Sequence, residues 1–379
     1  IGDIRSYLSA YGPHILRDVM SHLITALDSF TDDFIDIYRV RSDDFAILVR
    51  GHYTAEELMT LGERISQTYQ ESVQANGYMY GTDISIGIFP SFDIGLAAEE
   101  VIKVAARTCQ FAGEKRHNRV GVYSKETKSK VDRHFYIERE LANAIHNETL
   151  TVKFQPIICA KKNRVASFEA LVRWRSEEIG EIYPDEFIEV AEKKGLIVEL
   201  GEQLLRTACQ DAHRWSKELA EAAPVVSVNF SPLQFANSDM TALISKVLKE
   251  TGLAPNLLEV EVTEGVLIAN KEKIAATLAE LSDLGISIAL DDFGTGYSSL
   301  SYLKELPLNR LKIDRTFVSG TDGASPGMIA ETIIQLGHNL GLSIIAEGVE
   351  DQRQVDLLER MGCDDAQGYF FGRPQPVEL

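Results

Sequence analysis

From about residue 150 onward the chain repeats one unit: a short apolar run, then a longer stretch with helical spacing. The runs are 151–158 (TVKFQPII), 165–174 (VASFEALVRW), 225–230 (VVSVNF) and 257–263 (LLEVEVT). They continue at 287–292 (SIALDD), 310–314 (RLKID), 343–349 (SIIAEGV) and 365–371 (DAQGYFF). Eight strands with intervening helices over about 230 residues predict a (β/α)8, TIM-like barrel. A doubly wound sheet is the alternative, but it would carry a Gly-rich phosphate turn after its first strand, and this chain has none there.

The first part of the chain reads differently. Helical spacing covers 14–29, 54–75 and 97–112. Residues 34–39 and 44–50 alternate like the strands of a hairpin around Val40–Asp43. A strand at 82–90 stops at Pro90, and a short one, RVGVY, ends near residue 123. Residues 124–147 read as a charged, solvated connector helix that can carry signals between domains. The expected organisation is a partial α/β domain at 1–123, the connector at 124–147 and the barrel at 148–379.

Charge and cysteine content narrow the functions. The chain has 38 Lys+Arg against 57 Asp+Glu, a net charge of −19. That excess excludes a binder of nucleic-acid polymers, which needs a positive surface. An anionic small ligand stays possible if metal ions or local Arg and Lys intervene. The four cysteines form no CxxC pair, which excludes zinc-ribbon and thioredoxin chemistry and suits a reduced, cytoplasmic setting. No apolar run reaches membrane-spanning length and no signal peptide is visible. The chain opens on Ile1 rather than Met, so upstream sequence is expected, where a sensor or inner-membrane anchor could stand.

Polar residues enter the barrel runs in a pattern. Glu169 interrupts FEALVRW, Asn229 follows VVSV, and Glu261 sits in LLEVEVT. Asp291 and Asp292 end SIAL, and Lys312 lies in LKID with Asp314 close behind. Glu347 follows SIIA, Glu350 comes three residues later, and Gln367 lies in the last run. Barrel interiors are normally filled by branched apolar residues, and a buried unpaired carboxylate costs several kcal/mol. Each acid alone fits a satisfied buried ion pair or a strand-end cap equally well. Together, seven carboxyl groups and one Asn at strand ends converge on the catalytic face of such a barrel. An all-oxygen donor set suits Mg²⁺ or Mn²⁺ rather than zinc.

Neighbours in a regular strand point to opposite faces, so Asp291 and Asp292 reach one site only if the strand ends there. Gly294 and Gly296 supply that break. One Asp can then bridge two ions, the arrangement that cleaves phosphodiesters. Lys312 either orients the attacking water and offsets charge on phosphorus or forms an ordinary ion pair with Asp314 or another acid. Arg173 either clamps a phosphate oxygen or is a surface residue at a strand end.

At these residues the sequence resembles the EAL-domain family of cyclic di-GMP phosphodiesterases. The resemblance rests on EALVRW at Glu169, QPI at Gln155, NFS at Asn229 and EVTE at Glu261. It extends to DDFGTGYSSL at Asp291, LKID around Lys312, AEGVE around Glu347 and QGYFFGRP at Gln367. It implies two Mg²⁺ or Mn²⁺ ions, with Ca²⁺ as an inhibitor. Glu169, Asn229, Glu261 and Asp291 would hold one ion, and Asp291, Asp292 and Glu347 the other, with Glu350 assigned to the metal site. Lys312, Glu347, Glu264 and Gln367 would serve catalysis: Lys312 at the attacking water, Glu347 also viewed as a general base, Glu264 bracing the loop after the Asp pair. Gln155, Leu171, Arg173 and Asp314 would bind substrate. The family normally has Ser after the bracing glutamate, and this chain has Gly265. The implied reaction opens one phosphodiester of cyclic di-GMP to give linear pGpG, with a homodimer through the barrel. The alternative is a receptor that binds cyclic di-GMP without cutting it.

Residues 1–123 resemble a degenerate GGDEF domain, the diguanylate cyclase fold, lacking its first strand. The matches are YRVRSDDFAILV, SIGIFP and HNRVGVY. The signature turn reads Arg41-Ser42-Asp43-Asp44-Phe45, and its Arg and Ser would crowd a triphosphate that glycines admit. The family's guanine-reading residues fall at Leu8 and Ser9, and its inhibitory RxxD pattern, which would run from Asp32 to Ile35, is absent. The resemblance therefore implies a regulatory or dimerising module rather than a cyclase.

Overall fold

The computed structural model describes residues 14–40, 44–75, 84–90, 97–113, 119–162, 164–268, 271–294, 303–318 and 327–377. The chain divides into two compact units, Ile1–Tyr136 and Ile137–Leu379.

In the first unit, helix His14–Asp28 leads to strands β1 (Ile35–Arg39) and β2 (Phe45–Val49), an antiparallel pair in which Ile37 faces Ile47. Helix Ala55–Ala75 follows, then β3 (Ile86–Ile88), helix Ala98–Gly113 and β4 (Val120–Val122), with β3 and β4 parallel. Leu23, Ala26 and Leu27 of the first helix pack with Ile65, Tyr69 and Val73 of the second. These residues recur every three or four positions, so each helix presents one apolar stripe to the core. The expected hairpin is present. Its turn residues 41–43, together with Leu8 and Ser9, lie outside the described residues.

Helix Lys125–His146 spans the expected connector but is not solvated throughout. Ile137, Leu141, Ala144 and Ile145 are buried in the second unit. Lys194 Nζ holds the same turn by donating to the Glu138 carbonyl at 3.1 Å.

The barrel strands are β5 (Thr151–Cys159), β6 (Arg164–Ser176), β8 (Val225–Phe230) and β9 (Leu258–Thr263). They continue with β10 (Ser287–Phe293), β11 (Arg310–Ile313), β12 (Ser343–Ala346) and β13 (Asp365–Gln367). A small strand, β7 (Gly180–Ile182), folds back on β6 outside the ring. Neighbours run β5-β6-β8-β9-β10-β11-β12-β13, and pairing of β13 with β5 closes the ring. One feature departs from a regular (β/α)8 barrel: β5 is antiparallel to both its neighbours. Only residues 160–163 join β5 to β6, and a parallel crossover needs a dozen residues or more. Among the described residues, no helix is long and apolar enough to cross a membrane.

Side chains fill the barrel in layers drawn from alternate strands. The lowest layer is Ser167, Glu259, Arg310 and Asp365, from β6, β9, β11 and β13. Two residues further along the same strands stand Glu169, Glu261, Lys312 and Gln367. Between these layers, Ile157, Ser227, Ala289 and Ile345 of the remaining strands are all fully buried. Outside the ring, Trp215 of helix Ile197–Leu219 packs on Phe154 and Phe168, with ring centroids 4.8 and 5.3 Å away. This contact joins a helix to the antiparallel strand and its neighbour. Trp215→Ala is expected to cost about 3–5 kcal/mol. Urea unfolding followed by circular dichroism measures it, and a loss within error of zero would contradict this packing role.

Candidate active site

Lys312 lies at the centre of the upper layers and is completely buried. Its Nζ is 2.6 Å from Glu261 Oε2, 2.8 Å from Glu347 Oε1, 3.3 Å from Asp291 Oδ1 and 3.7 Å from Glu169 Oε1. Burial alone would pull its pKa down, but Asp291, Glu169, Glu261 and Glu347 together push it well above the usual lysine value. The surrounding carboxylates thus favour the charged ammonium, which donates to them.

The carboxyls shift upward too, but with burial as the main cause. Burial raises Glu261 well above its ordinary range, against the pull of Lys312. Burial likewise takes Glu347 up to about 8, with Lys312 opposing and Asp291 and Glu169 reinforcing. Asp292 is raised by burial, Asp291 and Asp314. Five carboxylates, those of Glu169, Glu261, Asp291, Asp292 and Glu347, thus share one ammonium.

The Asp pair reaches one place because β10 is bulged. Leu290 pairs with Leu311 but Phe293 pairs with Ile313, so β10 carries one residue more than β11 across that step. Asp292 adopts a left-handed φ of 54°, uncommon for a residue other than glycine. The result places carboxylate oxygens of Asp291, Asp292 and Glu347 within 4.8 Å of one another. Gly294 follows with φ 101°, and a Cβ there would come within 2.8 Å of the Phe317 ring. Its N–H donates to Glu264 Oε1 at 2.8 Å, so Glu264 ties down the first turn after the Asp pair. Gly296 lies outside the described residues. At Gly265 an added Cβ meets nothing closer than 3.7 Å, so the missing Ser leaves room rather than a clash.

Amides complete the cluster. Asn229 Nδ2 donates to Glu169 Oε1 at 2.6 Å, and Gln367 Nε2 donates to Glu169 Oε2 at 2.6 Å and Gln155 Oε1 at 3.2 Å. Gln155 in turn donates to the Gly372 carbonyl at 3.1 Å. Leu171 and Arg173 continue the inward face of β6 toward the mouth. Arg173 is half-buried and donates to the Val172 carbonyl at 2.8 Å. Burial lowers its pKa, against the fields of Glu169, Tyr369 and Glu181. Asp314 accepts from Thr316 N at 3.0 Å and Thr316 Oγ1 at 2.5 Å, capping helix Arg315–Val318 rather than pairing with Lys312. Glu350 is exposed, its N–H bonded to Gln354 Oε1 at 2.6 Å, and its carboxylate is not part of the cluster.

The donor set fits a hard cation. Glu261 Oε1 and Gln367 Oε1 are buried with no hydrogen-bond partner among the described residues. A buried carboxylate oxygen without a partner is costly, and a cation satisfies it. Asp291, Asp292 and Glu347, the three that converge, all offer carboxylate oxygen, and neither His nor Cys is among them.

The sequence pattern singles out Glu169, Glu261, Lys312 and Gln367 but passes over Ser167, Glu259, Arg310 and Asp365. Each of these stands two residues earlier on the same strand, so period-two spacing is the signal that could have found them.

A carboxyl raised by the fold stabilises below its ordinary value and loses that contribution as pH rises through the folded value. Glu347 moves from 4.5 to about 8, so its contribution disappears across that window. In a chelating buffer the melting temperature is expected to fall between pH 5 and 8. A flat or rising trend, followed by circular dichroism, would contradict this environment for Glu347.

Comparison with known proteins agrees with this geometry. The EAL domain model matches residues 138–374, more than half of the chain. Signaling protein YkoW of Bacillus subtilis is 35% identical over 371 residues, 97% of this chain and 46% of its own length. The bifunctional diguanylate cyclase/cyclic di-GMP phosphodiesterase MucR of Pseudomonas aeruginosa is 32% identical over 374 residues, 97% of this chain and 54% of its own. This chain spans about half the length of the curated relatives it matches. A solved structure titled PaMucR phosphodiesterase, c-di-GMP complex, superposes with a TM-score of 0.61 at 38% identity, covering 64% of this chain and 98% of that one. With the family model matched over the whole barrel, the chain belongs to the EAL domain family.

Proposed function

We propose that this chain is a metal-dependent phosphodiesterase that hydrolyses cyclic di-GMP to linear pGpG. The observation that carries the reading is the excess of five carboxylates over one buried ammonium at the barrel mouth, with Asp291, Asp292 and Glu347 within 4.8 Å of one another. Two divalent cations match that excess of four negative charges. Glu169, Asn229, Glu261 and Asp291 would hold one, and Asp291, Asp292 and Glu347 the other. Mg²⁺ or Mn²⁺, when bound, would supply an activated water and stabilise the attacking and leaving oxygens. The relatives support the choice of substrate, since several carry the name cyclic di-GMP phosphodiesterase.

The chain's own residues divide the remaining work. Lys312, held charged, orients the attacking water and offsets charge building on phosphorus. Glu347, its carboxylate beside Lys312 Nζ at 2.8 Å, accepts the water's proton at a carboxylate oxygen. Gln367 and Asn229 fix the Glu169 carboxylate from two sides. Arg173 clamps a phosphate oxygen, Leu171 offers an apolar surface to a base, and Gln155 and Asp314 border the substrate. Glu264 holds the turn after Asp292. Glu350, on the exposed turn before helix Gln352–Arg360, supports the rim rather than the cluster.

The first unit is read as a degenerate GGDEF-like domain with a regulatory or dimerising role. The antiparallel pairing of β1 with β2 supports that reading. The active form is read as a cytoplasmic homodimer through the barrel.

Incubation with cyclic di-GMP and Mg²⁺ or Mn²⁺, with chromatographic detection of pGpG, tests the activity. Tight binding without turnover in either metal would favour a receptor and overturn the enzyme. Glu169→Ala is expected to lower turnover by at least about 100-fold, the upper end of what losing a supporting contact to a metal ligand costs. Near-normal turnover in that variant would remove Glu169 from the metal site. Excess Ca²⁺ is expected to inhibit, because it prefers longer bonds and more ligands. Unchanged rates in competition assays would count against paired Mg²⁺ or Mn²⁺ ions.

A further inference from the structure

Beneath the metal-binding layers lies a second charged layer with no place in the chemistry above. Arg310 Nη2 donates to Asp365 Oδ2 at 2.7 Å, and Nη1 to Ser167 Oγ at 3.1 Å and Glu259 Oε1 at 3.4 Å. All four side chains are largely buried; Arg310 is the most open at 19%. The antiparallel strand β5 joins the layer through its pairing with β13, where Cys159 stands opposite Asp365. One guanidinium thus links β6, β9, β11 and β13 through fixed, directional bonds.

These four strands also carry Glu169, Glu261, Lys312 and Gln367, two residues further on in each case. Two residues along a strand is a rise of about 6.6 Å with no change of face. Anchoring the lower residue therefore reinforces, beyond the backbone pairing, the height of the upper one. The effect is greatest for β13, which has only three residues, with Asp365 at one end and Gln367 at the other. Gln367 is the amide that holds Glu169 Oε2. An apolar layer would fill the same space but would add no directional side-chain bonds to those of the backbone ladder.

We propose that Arg310 is a positioning residue for the metal site, acting through β11 on Lys312 and through Asp365 and β13 on Gln367 and Glu169. The proposal rests on reading the upper cluster as a divalent-cation site. It makes a prediction opposite in sign to simple electrostatics. Removing Arg310 takes a positive charge away from beneath a cluster of carboxylates, and charge alone would then tighten cation binding. Loss of positioning weakens it.

The test is calorimetric titration of the full 379-residue chain with Mn²⁺. Arg310→Met is expected to weaken Mn²⁺ binding by about tenfold, the scale for residues that orient ligands. In hydrolysis assays kcat should fall while KM for cyclic di-GMP changes little, since no substrate group reaches this layer. Arg310→Lys, which keeps the charge but loses the fork, should recover only part of the affinity.

Arg310→Met leaves two buried carboxylates without their partner and can fail to fold. Arg310→Met combined with Glu259→Leu removes one charge of each sign and keeps the layer's net charge. Apolar replacement of a buried pair is commonly tolerated, so this variant decides the matter if the single one does not fold. Weaker Mn²⁺ binding in the folded variant supports the proposal. Equal or tighter binding overturns it and makes the layer mere filling. A wild-type chain that takes up no Mn²⁺ overturns the site reading and this proposal together.

Discussion

Lys312 Nζ, fully buried and within 3.7 Å of four carboxylates, is the contact on which the barrel interior depends. Burying an ammonium or a carboxylate alone costs several kcal/mol, so neither sign is tolerable without the other. The four acids come from β6, β9, β10 and the end of β12, so the one cation draws distant parts of the ring to a point. Its stem is a flexible chain with a compact charge, which lets it sit among oxygens that approach from several directions. Yet one ammonium cannot neutralise five carboxylates. The uncompensated remainder suits the mouth to a cation rather than to a closed ion-pair network.

The backbone is irregular where that site requires it. A regular strand would turn Asp291 and Asp292 to opposite faces. The bulge in β10 and the left-handed Asp292 bring both carboxylates to one side. Such conformations persist only where the surroundings hold them. Here Glu264 anchors Gly294, and Phe317 leaves no space at Gly294 for a side chain. At the opposite end, the Arg310 layer holds four strands by hydrogen bonds that specify height as well as neighbours.

Much of this architecture is legible in the residue pattern. Glu169, Glu261, Asp291 and Glu347 each interrupt an apolar run, and a carboxylate in a barrel strand needs a reason. The hairpin of the first unit shows in its alternation. Other features leave only faint traces. A four-residue connection implies the antiparallel course of β5, but the βα rhythm suggests eight equivalent strands. Glu259 and Arg310 look like ordinary surface charges, because a charge at the start of a strand is usually solvated. Glu350 follows an apolar strand as Glu347 does, but Gly348 at φ 69° begins a turn that leaves it on the exposed rim. Three residues of irregular backbone are enough to separate two acids that look equivalent in the sequence.

By itself the sequence determined the barrel and the strand that carries each acid of the mouth. Those properties follow from residue type and from a period of two, which are local. Tertiary structure alone decided which acids meet Lys312, that the Asp pair converges, and that Arg310 lies beneath the site. These depend on ring closure, on the register between strands far apart in the chain, and on one bulge. A shift of one residue in any of them would turn a ligand out of the barrel. No local pattern encodes that choice, because it is made by packing and by the cost of leaving a buried charge unpaired.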